Sequence, residues 1–128
     1  MTVVFDSSFL ADVRTGDGGA LRLLAELVAE GEVAIVPTVV VAEYLTGSRD
    51  PDGDLATLDQ AAAIEDLRVG DAREGAALAR RMFGAGRFPG WIDVLVAGFA
   101  KARGNLPIVT RNVRHFPESR TRTYETGS

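Results

Sequence analysis

The feature that most constrains this chain is an alternation of two patterns. Short apolar runs stand at residues 3–5 (VVF), 33–36 (VAIV) and 106–109 (LPIV), and longer stretches with helical spacing separate them. Runs this short, rich in β-branched residues and lacking polar alternates, read as strands buried on both faces. Parallel strands of that kind are joined by helical crossovers, because a tight turn cannot link them. Between the first two runs, Leu21, Leu24, Leu27 and Val28 fall on one helical face. The pattern predicts an α/β fold of three layers, α/β/α, around a mostly parallel central sheet of four to five strands.

Punctuation residues refine this reading. Ser7 or Ser8 is placed to cap a helix from about Phe9, and Gly31 ends a helix over 20–30. Pro37 sits in the first turn of a helix reaching about Thr46, with Gly47 as its stop. The stretch GDGG at 16–19 reads as a turn, since it lacks the Gly-Lys-Ser/Thr ending of a phosphate loop. SRDPDGD at 48–54 reads as a loop, 55–66 as a helix and 67–69 as a short strand. Helices are expected over 71–83 and 91–103, a helical turn over 112–116 and an edge strand over 122–124. No repeat or internal linker interrupts the pattern, so one domain over residues 1–128 is expected.

Composition removes whole classes of chemistry. With no cysteine there is no disulfide, thiol nucleophile or thiolate metal site, and a single histidine argues against a closed zinc site. The longest uncharged stretch, 33–42, is far shorter than the roughly 18 apolar residues of a membrane span. The start, MTVVFDSS, carries no signal-like run, and a soluble cytoplasmic protein is expected. The net charge is −4, but residues 1–66 hold 13 acids and 3 bases while residues 67–128 hold 5 acids and 11 bases. That asymmetry suits either a polyanion-binding face or an ordinary mixed surface.

The sharpest signal is where acids stand alone. Asp6 is the only charged side chain in MTVVFDSSFLA (1–11), Glu43 in AIVPTVVVAEYLTGS (34–48) and Asp93 in FPGWIDVLVAGFA (88–100). Burying an unpaired carboxylate costs several kcal/mol, so each must be paired, neutralised or bound to a cation. No arginine or lysine lies in any of the three windows. One hard cation, Mg²⁺ or Mn²⁺, compensates all three at once, because such ions select oxygen ligands. Asp6 and Thr110 also follow strand ends, where α/β folds bind their ligands.

Four segments, VVFDSSFL (3–10), VVVAEYLTG (39–47), IDVLVA (92–97) and IVTRNVRHF (108–116), resemble the PIN domain, and within it the VapC-type toxins of toxin–antitoxin pairs. The resemblance spans essentially the whole chain in length and motif order, and it implies a PIN-like fold. By it, Asp6, Glu43 and Asp93 are the metal-binding catalytic acids, and Thr110 and Asn112 are supporting polar groups. The family often has a fourth acid at or near the position of Asn112, so a second metal, if any, should bind more weakly here. The implied activity is metal-dependent endoribonuclease chemistry with Mg²⁺ or Mn²⁺, in-line hydrolysis leaving 5′-phosphate and 3′-hydroxyl ends. The implied partners are an RNA substrate, a cognate antitoxin and a second copy in a homodimer.

Roles follow from side-chain chemistry. Asp6 and Asp93 are candidate direct ligands, and Glu43 ligates directly, acts through water or orients the attacking water. Ser8 and Thr110 can hydrogen-bond the acids or the phosphate. Arg111 and Arg114 suit bidentate phosphate contact, or else form a solvated loop. Arg80, Arg81, Arg87, Lys101 and Arg103 are weaker candidates for the same task. His115 reads as a rim residue, since one histidine cannot serve as both general acid and general base of a metal-free ribonuclease. Phe83, Phe88 and Trp91 either pack or stack on bases. The apolar residues of the early helices serve the core, a dimer face or a partner groove. Two other classes are open: a non-catalytic binding module of the same fold, and a phosphatase with Asp6 as nucleophile. The phosphatase reading lacks the usual acid two residues on, where Ser8 stands.

Overall fold

The computed structural model describes residues 1–127, and Ser128, the last residue of the expected domain, lies outside them. Five strands form one sheet: β1 (Thr2–Phe5), β2 (Val33–Pro37), β3 (Ala63–Glu65), β4 (Ile108–Val109) and β5 (Thr121–Arg122). Their spatial order is β3-β2-β1-β4-β5, and every neighbouring pair is parallel. Six helices accompany them: α1 (Ser7–Arg14), α2 (Gly18–Ala29), α3 (Thr38–Thr46), α4 (Pro51–Ala61), α5 (Val69–Gly84) and α6 (Trp91–Ala102). This is the α/β arrangement with a parallel sheet that the apolar alternation predicts.

Strand β1 lies at the centre of the sheet. Val3, Val4 and Phe5 are all buried although successive side chains point to opposite faces, so both faces of the sheet are covered. Phe9, Val36, Val40, Phe99, Ile108, Val109 and Phe116 are among the buried residues that pack with them in the core. The register pairs Phe5 with Val109, and the Asp6 amide donates to the Val109 carbonyl at 3.1 Å. The residues that follow these two strands, Asp6 and Thr110, are therefore neighbours at the carboxyl edge.

Helices α5 and α6 form an antiparallel hairpin held by glycine. A Cβ on Gly98 would stand 2.5 Å from both the Asp71 carbonyl oxygen and the Gly75 nitrogen. Only hydrogen side chains permit this approach. Arg103, at the end of α6, locks the base of the hairpin. It donates to Asp71 Oδ1 at 2.8 Å, Glu65 Oε1 at 3.3 Å and the Phe99 carbonyl at 2.9 Å, and lies over the Phe99 ring.

Several boundaries differ from the sequence reading. The strand expected at 67–69 lies instead at Ala63–Glu65, where it pairs with β2 in the register Ile35–Ala63, Val36–Ile64 and Pro37–Glu65. The Arg68 amide is capped by Asp71 Oδ2 at 2.9 Å, so residues 69–71 already belong to α5. Helix α4 starts within the expected 48–54 loop, because Asp50 caps it and Pro51 fits its first turn. Asp17 caps α2, so the second half of GDGG is helical. Pro37 closes β2 and precedes α3 instead of sitting inside it. The cap position of α1 belongs to Asp6, and Ser7 and Ser8 are already helical.

Candidate active site

Asp6 leaves the central strand buried, with 3% of its surface exposed. Its Oδ2 accepts from Thr110 Oγ1 at 2.8 Å and from Ser8 Oγ at 3.1 Å. The two hydroxyls lie 3.2 Å apart and also fix the backbone that follows β4. The Arg111 amide donates to Ser8 Oγ at 3.1 Å and the Asn112 amide to Thr110 Oγ1 at 3.0 Å. One buried cluster thus shapes the start of α1 and the whole turn after β4. Asp6 Oδ1, also buried, has no hydrogen-bond partner among the described residues. Burial pushes the Asp6 carboxyl up, and Glu43 adds to this, while Thr110, the Ser7 amide and Ser8 hold it down.

Glu43 and Asp93 reach the same cleft from α3 and from the first turn of α6. Ser7 Oγ donates to Glu43 Oε1. Asp93 Oδ2 stands 3.0 Å from His115 Nδ1. Desolvation pushes the Asp93 carboxyl up to about 6, with Asp6 and Glu43 adding and His115 opposing. Asp93 thus responds to the charges of Asp6 and Glu43, and Asp6 to that of Glu43. The cleft they share, about 340 Å³, is also lined by Ser8, Arg14, Tyr44, Arg111 and Asn112.

The expected site residues therefore converge. Asp6, Glu43, Asp93, Ser8, Arg111 and Asn112 line the cleft, and Thr110 supports it from beneath. Arg114 is exposed on the turn Val113–His115, beside Arg111 and Asn112 in an adjoining shallow depression. Arg111 has an internal partner that the sequence did not suggest. Its Nη1 donates to both carboxylate oxygens of Asp12, at 2.7 and 2.9 Å, and the Tyr124 hydroxyl donates to Asp12 Oδ2 at 2.6 Å. Arg103 is not a phosphate contact: it is spent at the far end of α6 from Asp93. Lys101, the only lysine, is on that same last turn, which leaves Asp6 without the lysine an aspartyl-phosphatase uses.

Residues that sequence reasoning missed or undervalued are His115, Asp12, Tyr124, Arg14 and Tyr44. His115 follows Asn112 by three positions, and a tight helical turn aligns such residues on one face. Asp12 follows Ser8 by four positions on α1, again on one face. Arg14 lies over the Tyr44 ring, 4.3 Å from its centroid, and donates to the Tyr44 carbonyl at 2.8 Å. Nothing local in the sequence signals that contact, which joins α1 to α3.

The donor set suits a hard cation. It is all oxygen, it contains an orphaned buried carboxylate oxygen, and its acids sit against mutual repulsion. Among the described residues, no three acidic or histidine side chains close on one point; Glu43 is engaged by Ser7 and Asp93 by His115.

No protein-family model matches the chain. It is 35% identical over 117 residues to ribonuclease VapC19 of Mycobacterium tuberculosis, a match covering 89% of this chain and 91% of that protein. Among solved structures, VapBC-1 of nontypeable Haemophilus influenzae superposes with a TM-score of 0.79 at 16% identity, covering 96% of this chain and 98% of that one. VapBC2 of Rickettsia felis, bound to a promoter DNA fragment, gives 0.78 at 19% identity, covering 98% and 100%. VapC20 of Mycobacterium tuberculosis, a Sarcin-Ricin loop cleaving toxin, gives 0.66 at 20% identity, covering 83% and 86%. At these identities the solved structures show a shared fold. No described helix is long and apolar enough to cross a membrane.

Proposed function

The chain belongs to the VapC ribonuclease family, and on that premise we propose that the cleft of Asp6, Glu43 and Asp93 is a metal-dependent active site that cuts RNA. The protein is an endoribonuclease and the toxin of a toxin–antitoxin pair. It acts in the cytoplasm, as a homodimer, and a cognate antitoxin restrains it. The observation that carries the site assignment is Asp6 Oδ1: a buried carboxylate oxygen with no partner among the described residues, in a cleft shared with Asp93 and with Glu43, whose charge raises the Asp6 carboxyl further. A fold keeps so costly a group when a ligand repays it.

Asp6 and Asp93 would hold Mg²⁺ or Mn²⁺, with Glu43 binding directly or through water. Bound there, such an ion would supply charge to screen the phosphate, to lower the pKa of a water and to stabilise the leaving oxygen. The chain's own residues do the rest. Thr110 and Ser8 hold Asp6 Oδ2, which leaves Oδ1 as the oxygen free to bind an ion. His115 holds Asp93 from the solvent side, and Ser7 holds Glu43. Arg111, braced by Asp12, presents its remaining guanidinium donors to a phosphate. Neutral Asn112 lines the cleft without a charge, which favours one firmly held ion over two. In-line hydrolysis there leaves 5′-phosphate and 3′-hydroxyl ends.

The test is induced expression with sequencing of RNA ends, comparing the parent with Asp93→Asn and Asp6→Asn. Discrete cuts present in the parent and absent from both variants are expected. Equal growth arrest by all three would overturn the assignment. Calorimetry with Mn²⁺ supplies the second arm, since a non-catalytic module of this fold would show no heat.

A further inference from the structure

Three aromatic residues cluster at the turn between α5 and α6. Phe83 stacks on Phe88 with centroids 4.2 Å apart and planes 12° apart, and Trp91 meets both edge-on at 6.3 and 5.3 Å. Phe88 roots the group in a small core of Ala79, Met82 and Val94. Phe83 and Trp91, by contrast, are 56% and 57% exposed. A packed cluster that leaves two large rings this open is the informative departure from ordinary burial.

Its place in the fold matters. The close approach of Gly98 to Asp71 and Gly75 makes α5 and α6 antiparallel, so the end of α5 lies beside the start of α6. Trp91 opens α6 and Asp93 follows in the same first turn, about 3 Å further along the axis and roughly 200° around it, so the cluster lies around the helix start from the cleft. The charges nearby are mostly basic. Arg81 is paired with Glu118 at 2.9 Å, whereas Arg80 and Arg87 are exposed and make no salt bridge among the described residues. Glu74, two turns earlier on α5, is the other acid near Arg81.

We propose that Phe83 and Trp91, rooted on Phe88 and flanked by Arg80 and Arg87, form a stacking platform for an unpaired nucleotide of the RNA where its strand leaves the cleft and passes around the start of α6. This rests on the nuclease reading of the cleft. Flat aromatic faces beside arginines are what an extruded base and its phosphate require. A second copy of the chain fits less well. A two-fold interface would bring Arg80 and Arg87 of one protomer close to the same arginines of the other, and like charges oppose that.

Trp91 is the only tryptophan, so its fluorescence reports on this platform alone. The probe is a short single-stranded oligoribonucleotide, titrated into the full chain carrying Asp6→Asn to prevent cleavage. Saturable quenching is expected, while polyphosphate, which has charge but no bases, should leave the emission nearly unchanged. In polarisation assays with labelled RNA, Trp91→Ala should bind roughly tenfold more weakly and Trp91→Phe should recover most of the loss. Circular dichroism of each variant checks folding, and Phe83→Leu provides a second route to the same loss. Unquenched emission on RNA binding, or equal affinity of Trp91→Ala, would overturn the platform. So would a concentration-dependent dimer abolished by Trp91→Ala, which would give the surface to a second copy. If the parent cuts RNA and Asp6→Asn does not, failure here leaves the nuclease reading standing. If the parent cuts no RNA, the nuclease reading fails first.

Discussion

Thr110 donates its hydroxyl to Asp6 Oδ2 at 2.8 Å, across 104 residues of sequence and from a position with no exposed surface. The contact exists because β1 and β4 are adjacent and parallel, so that the residues just past their ends meet. Thr110→Val keeps the shape and removes the hydroxyl. It strips one donor from Asp6 and leaves the Asn112 amide without its acceptor. Urea unfolding should show a loss of about 1–3 kcal/mol. RNA cleavage should fall as well, because Asp6 then holds its charge less readily. Unchanged stability would mean the hydroxyl cluster contributes little.

The Asp93 carboxyl, pushed up to about 6 from an ordinary 3.8, gives a sign to the pH dependence. Between those values the folded chain binds a proton that the unfolded chain does not. Stability without metal should therefore rise as pH falls through 6, with the gain complete below 3.8. Asp6, also raised, contributes with the same sign. Glu30 and Glu118, held low by Arg122 and Arg81, lose their contribution only below the ordinary carboxylate range. Urea melts in chelator should show a gain on the order of 1 kcal/mol from pH 7.5 to pH 5. Stabilisation by added Mn²⁺ should shrink over the same interval, since protons compete for the ligands. His115→Gln removes the group that holds Asp93 down, so its gain should begin at higher pH.

Asp12 accepts from both Arg111 and Tyr124, joining the cleft rim to the C-terminal segment. Arg111→Ala should raise KM for RNA by roughly tenfold, with a smaller effect on kcat, as expected for a phosphate contact. Asp12→Asn should raise KM less, because it frees Arg111 without removing it. Steady-state cleavage of a defined oligonucleotide separates the two parameters. A kcat loss at constant KM in both variants would contradict the assignment.

Gly98→Ala tests the α5–α6 hairpin. The added methyl meets backbone atoms of Asp71 and Gly75, which cannot move independently. The helices must separate, at a cost of about 1–3 kcal/mol or more in thermal or urea unfolding. Because Asp93 rides on α6, cleavage should fall too.

How much of this was legible beforehand depends on the range of the signal. Asp6, Glu43 and Asp93 stand out because an acid inside an apolar window is costly wherever the window ends up. Thr110 and Asn112 were placed by the resemblance and by the strand end before them. The strand at 63–65 was hidden, since Ala62, Ala63 and Ile64 continue a helical pattern and become a strand only by pairing with β2. The tie from His115 to Asp93 was equally hidden, because it joins two turns distant in sequence.

By itself, then, the sequence determined the layered α/β plan and the identity of the three acids. Both follow from local free energies, the spacing of apolar residues and the cost of burying charge. Only the tertiary structure decided which groups restrain those acids: Ser7 on Glu43, His115 on Asp93, and Thr110 and Ser8 on Asp6. It also decided that Arg111 leans on Asp12 while Arg103 serves the hairpin base. Those partners come together through strand order and helix packing, and distances between remote residues are set by the folded core, not by any local pattern.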